Sequence, residues 1–288
     1  MSAAGKCRLC EPCAGLVCRG ELPGMGGVNQ SENFILNCGA WREIPPGRKD
    51  SGLIPQVRLA PMTGAVENAG WHDERSFYPA LVGLALRSGF ALSIGDGTPD
   101  EKLLYGIQAV RDARMTNPGV KAAVFIKPYE NRKILERMEM AMDVAEVLGV
   151  DTDAFNIVTM RDKARLERKS SAQLKELMDW SRARGIPFAV KGIFTEYDMD
   201  ILRDLCPDIA VVSNHGGRVP VRKGSTAAFL ALRSDEILLR CGALWADGGI
   251  RSLSDVRKAA GYGVSCVMLG RPFVSALLSG KDSLVLKD

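Results

Sequence analysis

The sequence predicts a (β/α)8 barrel behind an irregular extension, and three observations carry that prediction. From residue 57 onward, short apolar runs recur eight times. The stretches between them show helical apolar spacing, and several end in glycine, at Gly89, Gly149, Gly185 and Gly263, where a left-handed residue commonly stops a helix. Strand-like and helical segments in alternation imply a parallel sheet with crossover helices, and eight such units are the number that closes a barrel. The chain's 288 residues exceed the ~250 a barrel typically takes. No G-x-G-x-x-G follows the first run, which argues against an open doubly wound sheet.

In chain order the predicted strands are V-R-L-A-P (57–61), F-A-L-S-I (90–94), K-A-A-V-F-I (121–126), A-F-N-I-V (154–158), P-F-A-V-K (187–191), I-A-V-V-S (209–213), A-L-W-A-D (243–247) and S-C-V-M-L-G (265–270). Apolar residues at helical spacing mark 134–148 and 171–180 as helices. Met138, Met140 and Met142 fall within the first of these and read as packing filler rather than a metal box. Residues 1–56, rich in Gly, Pro and Cys and without amphipathic period, read as an extension separate from a barrel over 57–288.

Composition narrows the function classes. Hydrophobic residues make up 46% and aromatics only 6%, so the core is built mainly from Val, Ile, Leu, Ala and Met. A net charge of +4 is too mild to argue for nucleic acid. No run approaches the ~18 apolar residues that span a bilayer, and no secretion signal is visible. A cytoplasmic protein with neither nucleic-acid nor membrane partners is expected. Cys206, Cys241 and Cys266 read as small buried hydrophobes.

In a barrel the chemistry belongs at the C-terminal strand ends. Lys191 closes the fifth predicted strand. Ser213-Asn214-His215-Gly216-Gly217-Arg218 follows the sixth, Asp247-Gly248-Gly249-Ile250-Arg251 the seventh, and Gly270-Arg271-Pro272 the eighth. Glycines that let backbone N–H groups approach an anion, beside arginines that clamp it, suit a phosphate site after the last two strands. His215, beside two glycines and three residues before Arg218, suits a base next to an anion clamp. A lysine in the barrel mouth implies an anionic partner; a flavin ring, anionic when reduced, would be one. His72, in G-W-H-D-E, reads as surface or loop.

The motifs V-V-S-N-H-G-G-R, A-D-G-G-I-R and M-L-G-R-P-F, in that order and spacing, resemble the FMN-dependent α-hydroxy acid dehydrogenase/oxidase family. The resemblance covers roughly 57–280 and is most specific over 187–273. S-N-H-G-G-R is its distinctive part, whereas D-G-G-I-R with a following G-R is shared with other flavin and phosphate barrels. It implies FMN as cofactor and oxidation of a small α-hydroxy acid by hydride transfer to flavin N5. By the same resemblance His215 takes the substrate proton, Arg218 binds the substrate carboxylate, and Lys191 lies near flavin N1 and O2. Asp247, Gly248 and Gly249 would hold the ribityl and phosphate, with Arg251, Gly270 and Arg271 completing the phosphate site. Pro61, Met62 and Thr63 would lie along the isoalloxazine, and Ser93 and Ser213 make further flavin contacts. Tyr129 and Arg161, or Arg165 in another register, match the family's remaining substrate contacts. The chain departs from the pattern in having no Tyr in residues 1–60 and in carrying Lys127 in F-I-K-P-Y. A homo-oligomer using an unnamed electron acceptor is expected. An FMN isomerase or reductase on the same barrel, or an electron-transfer module centred on the cysteines, are the other readings.

Those cysteines open the chain: Cys7, Cys10, Cys13 and Cys18 in C-x2-C-x2-C-x4-C. The spacing is one residue off the ferredoxin run and lacks its trailing proline. An iron–sulfur cluster, zinc, free thiols and disulfides all stay open as readings.

Overall fold

The structure, a computed structural model, describes residues 32–48, 54–157, 160, 163–219 and 222–288. The N-terminal cysteines and Arg161 lie outside the described residues. Eight parallel strands form one sheet: β1 (Gln56–Leu59), β2 (Leu92–Gly95), β3 (Ala122–Ile126), β4 (Ala145–Asp151), β5 (Phe188–Ile193), β6 (Ile209–Val212), β7 (Ala243–Asp247) and β8 (Val264–Leu269). Neighbours follow the order β1-β8-β7-β6-β5-β4-β3-β2. The remaining seam, β1 to β2, is closed by Leu59 N–H to Ala91 O at 2.8 Å and Ala91 N–H to Val57 O at 3.1 Å. The sheet is therefore a barrel, as the eight-unit alternation predicts.

Period-two alternation sorts the strand residues into two apolar layers. Ala123, Phe125, Ala189, Val211, Trp245 and Met268 fill the barrel interior. Their neighbours Val124, Val190, Ala210, Val212, Ala246 and Val267 face outward and pack with the helices. At the interior floor the buried Arg58 stacks over Trp245, 4.9 Å from the ring centroid, and pairs with Glu146 at 2.6 Å. The helices between strands are α2 (Glu74–Arg87), α3 (Glu101–Arg114), α4 (Asn131–Ala141), α5 (Ser171–Arg182), α6 (Glu196–Leu205), α7 (Thr226–Leu238) and α8 (Leu253–Gly261), with α9 (Arg271–Leu278) after β8. Capping boxes start α5 (Ser170, Gln173), α6 (Thr195, Asp198) and α8 (Ser252, Asp255), satisfying the first free N–H groups. No helix among the described residues is long and apolar enough to cross a membrane.

Three expectations change. The fourth strand lies at Ala145–Asp151, not at 154–158, and Thr152–Asn156 form a 3-10 turn. The apolar run 134–148 is thus split: α4 ends at Ala141, and the valine-rich A-E-V-L-G-V-D enters the sheet, because β-branched residues suit the pleat. Gly149 is accordingly no helix stop. It sits in β4, where a Cβ would lie 2.8 Å from Ala189 O and 2.9 Å from the Phe125 ring. Gly89, Gly185 and Gly263 do follow helices, with φ of 73°, 70° and 81°. Second, Cys206 is exposed at the end of α6 while Cys266 is buried and Cys241 half-buried. Third, the extension is not irregular throughout: Glu32–Glu43 form α1.

Helix α1 is held by polar contacts rather than by an apolar stripe. Asn33, Asn37 and Trp41, four apart and so on one face, reach the loops after β6 and β7. Asn33 Nδ2 donates to Arg222 O (3.0 Å) and its Oδ1 accepts from Gly224 N (2.9 Å). Asn37 Nδ2 donates to Asn214 Oδ1 (2.7 Å), and its Oδ1 accepts from Thr226 N (2.9 Å). Trp41 Nε1 donates to Gly248 O at 2.8 Å. Lys258 on α8 meets the carbonyls of Trp41 (2.6 Å) and Arg42 (3.1 Å) at the helix's C-terminus, where a cation is favoured.

Candidate active site

A cavity opens at the C-terminal strand ends. It brings together twelve of the residues singled out above: Pro61, Met62 and Thr63 after β1, Lys191 in β5, His215 and Arg218 after β6, Asp247, Gly248, Gly249 and Arg251 at β7, and Gly270 and Arg271 at β8. Ser213 lies just beneath, its Oγ accepting from Lys191 Nζ at 3.2 Å and from His215 N at 3.1 Å. Ser93 and Tyr129 do not line the cavity. Ser93 is buried and donates to Met268 Sδ at 3.8 Å. The Tyr129 ring is buried beneath the Arg137 guanidinium, 4.7 Å from its centroid.

Each side chain is placed by local backbone. His215 has φ 57°, followed by Gly216 at 62° and Gly217 at 88°. Three successive left-handed residues form a tight turn, costly for the one that is not glycine. Asn214 steadies it, its Oδ1 accepting from Gly217 N at 3.1 Å. A Cβ on Gly217 would lie 2.7 Å from Phe34 N in α1, so glycine there lets the helix close over the turn. Gly248 and Gly249 also have positive φ, 95° and 81°. Arg271 donates to Gly216 O at 2.5 Å and stacks 3.8 Å over the Phe34 ring, while Arg251 Nη2 lies 3.6 Å from Cys38 Sγ. Helix α1 thus roofs the two arginines expected to bind phosphate.

The electrostatic centre is a group that the sequence reading missed. Asp151 ends β4 and Asp153 is the second residue of the turn after it. Lys191 Nζ lies 2.8 Å from Asp151 Oδ1 and 3.5 Å from Asp247 Oδ2. His215 Nδ1 lies 3.1 Å from Asp153 Oδ1 and 3.5 Å from Asp151 Oδ2. Gly192 makes room for this, since a Cβ there would lie 2.8 Å from Asp153 N. Burial alone would favour a neutral Lys191, but the carboxylates of Asp151, Asp247 and Asp153 outweigh it and raise its pKa. Burial likewise opposes ionisation of Asp151, and Lys191 and His215 overcome it, holding that carboxyl below its ordinary range. Asp153 moves the other way: burial and the Asp151 charge raise it. One acid of the pair therefore stays ionised while its neighbour resists ionisation. Asp151, Asp153 and His215 have the spacing of a metal site, yet the Lys191 ammonium already supplies the cation that Asp151 needs. Farther round, burial pushes Asp96 up to about 6, against Lys127 and Arg137.

Had the fourth strand been read at 145–151, Asp151 and Asp153 would have fallen at a strand end, where candidates are sought. Nothing in sequence spacing points to Asn33, Asn37 or Trp41, whose partners lie more than 170 residues away.

The sequence profile of FMN-dependent dehydrogenases matches residues 107–285, and the chain belongs to that family. A 2-hydroxyacid oxidase of Dictyostelium discoideum is 38% identical over 102 residues, 35% of this chain and 26% of that protein. 2-Hydroxyacid oxidase 2 of Mus musculus is 33% identical over 185 residues, 54% of this chain and 51% of that one. The chain spans between a quarter and about half of the curated relatives it matches. A mandelate oxidase variant with (S)-mandelic acid superposes with a TM-score of 0.64 at 20% identity, covering 92% of this chain and 85% of that one. That likeness shows the shared barrel fold. The cavity suits FMN on its own terms. Asp247 Oδ1 is buried with no partner among the described residues, as a ribityl hydroxyl would require, and the left-handed glycines sit beside Arg251 and Arg271.

Proposed function

We propose that the chain oxidises a small 2-hydroxy acid, with FMN as the hydride acceptor. The observation that carries this reading is His215, held over the cavity with its Nδ1 against two carboxylates. An Nδ1–H donated to a carboxylate leaves Nε2 as the acceptor, so His215 takes the substrate hydroxyl proton. The imidazolium that results is stabilised by the ionised Asp151. Bound FMN supplies a two-electron acceptor for the hydrogen that leaves the carbon as hydride. Arg218, lining the same cavity, binds the substrate carboxylate bidentately. Lys191 places a fixed positive charge where the flavin gains negative charge. Asp247 accepts from a ribityl hydroxyl, and Arg251 and Arg271 with the glycines of the β7 and β8 loops hold the phosphate. Pro61, Met62 and Thr63 form the wall for the ring. The expected assembly is a homo-oligomer. Cys7, Cys10, Cys13 and Cys18 belong to this proposal as a site for zinc, in a structural role, or for an iron–sulfur cluster, which would pass electrons onward.

The test is anaerobic mixing of the FMN-loaded protein with a panel of 2-hydroxy acids. Bleaching of the visible flavin band by any of them is expected. A full panel without bleaching overturns the reading and favours an isomerase or reductase on this barrel.

A further inference from the structure

Seven basic side chains line the cavity among its described residues, four lysines and three arginines, against one carboxylate, Asp247. The proposed reaction employs Lys191, Arg218, Arg251 and Arg271. It leaves Lys102 and Lys127, which line the cavity after β2 and β3 beside Thr98, and Lys163, which lines it too. Lys127 is the informative member. It follows β3 directly, is 7% exposed, and anchors its backbone N–H on Asp96 Oδ1 at 2.8 Å. Its ammonium has no hydrogen bond or ion pair among the described residues. The acids nearest in effect are engaged elsewhere: Asp96 pairs with Arg137 at 2.8 Å and Asp151 with Lys191 at 2.8 Å. Lys102 is also largely buried, with Glu74 3.5 Å away. Asp96 and Asp151 feel the Lys127 charge from a distance, but no carboxylate touches it. A buried ammonium with no contact partner is costly, and one that lines a cavity suits an incoming anion. Lys127 and Arg218 line the same cavity from β3 and β6, three strands apart round the barrel.

We infer that the substrate is a 2-hydroxy acid bearing a second anionic group, a carboxylate, received by Lys127 with Lys102 beside it. This rests on the function proposed above and adds the substrate class: 2-hydroxy dicarboxylates over monocarboxylates of equal length.

The experiment uses FMN-loaded wild type and Lys127→Gln, with two readouts. The first is anaerobic flavin reduction by 2-hydroxyglutarate, by 2-hydroxyvalerate as the uncharged-end control, and by 3-phosphoglycerate as the phosphate arm. The second needs no turnover: the flavin spectral shift on titration with glutarate or valerate. The wild type is expected to favour 2-hydroxyglutarate, and Lys127→Gln to lose that preference by roughly ten- to a hundredfold, the worth of one charged hydrogen bond, with 2-hydroxyvalerate unchanged. Glutarate affinity falls in parallel. Preference for 3-phosphoglycerate over 2-hydroxyglutarate overturns the carboxylate assignment. Equal loss for both end groups, or no wild-type preference, overturns the second anion site, since Lys127 would then serve the flavin or the fold. Should glutarate bind through Lys127 while no 2-hydroxy acid bleaches the flavin, the anion site stands and the proposed reaction falls.

Discussion

Lys191 is where burial and charge meet most sharply. Its buried ammonium is shared by Asp151 and Asp247 at the cavity wall. Removing it leaves buried carboxylates unpaired, which costs about 3–5 kcal/mol. Lys191→Met is therefore expected to lower the denaturation midpoint of the FMN-free protein, measured by urea unfolding. The same neighbours define the role of His215. Replacement by Ala removes the proposed proton acceptor and should slow flavin reduction by roughly 10²–10⁴-fold, with FMN expected to stay bound through Asp247 and the β7 and β8 loops. At this scale the sequence was informative: S-N-H-G-G-R, D-G-G-I-R and G-R-P each delivered residues to one cavity. It was silent on Asp151 and Asp153 because their strand was read some nine residues too late. Helical and strand periods overlap in M-D-V-A-E-V-L, and a short apolar run does not distinguish them.

Helix α1 shows what local pattern leaves out. It has a weakly apolar sequence, and its place is fixed by amide hydrogen bonds to loops distant in the chain. Asn37 meets both Asn214, which braces the His215 turn, and Thr226, which starts α7. Asn37→Ala leaves Asn214 Oδ1 with only the Gly217 N–H and strands the Thr226 N–H inside the protein, worth about 1–3 kcal/mol. Thermal denaturation should show that loss, and FMN dissociation should quicken as the roof over Arg251 and Arg271 loosens. Gly249→Ala is the sharper perturbation, because its Cβ would lie 1.8 Å from Asn37 O at φ 81°. It should lift α1 from the β7 loop and weaken FMN binding, read by fluorescence of released flavin, whereas Gly89→Ala, with open space around its Cβ, should not.

Across the whole molecule, surface ion pairs stitch the helix layer together. Arg111 grips Asp143 at 2.9 and 2.8 Å, and this hydrogen bonding lowers the Asp143 carboxyl despite some burial. Burial resists the ionised form of Asp208, but Arg182 and the Phe188 N–H prevail and lower it as well. A carboxylate lowered on folding adds stability above its unfolded value, ~4, and loses it as pH falls through the native value. The thermal midpoint should drop between about pH 5 and 3, less steeply in Arg111→Met with Arg182→Met. The barrel itself was legible from eight apolar runs, since seven of them became strands at or near the expected positions.

The central claim is that His215 takes the proton as a 2-hydroxy acid gives its hydride to bound FMN. Its most direct test is the rate of anaerobic flavin bleaching by one 2-hydroxy acid in wild type and His215→Ala, both loaded with FMN. Bleaching in the wild type and near-total loss in the variant, with FMN still bound, is the predicted result. Equal bleaching in both proteins would contradict it.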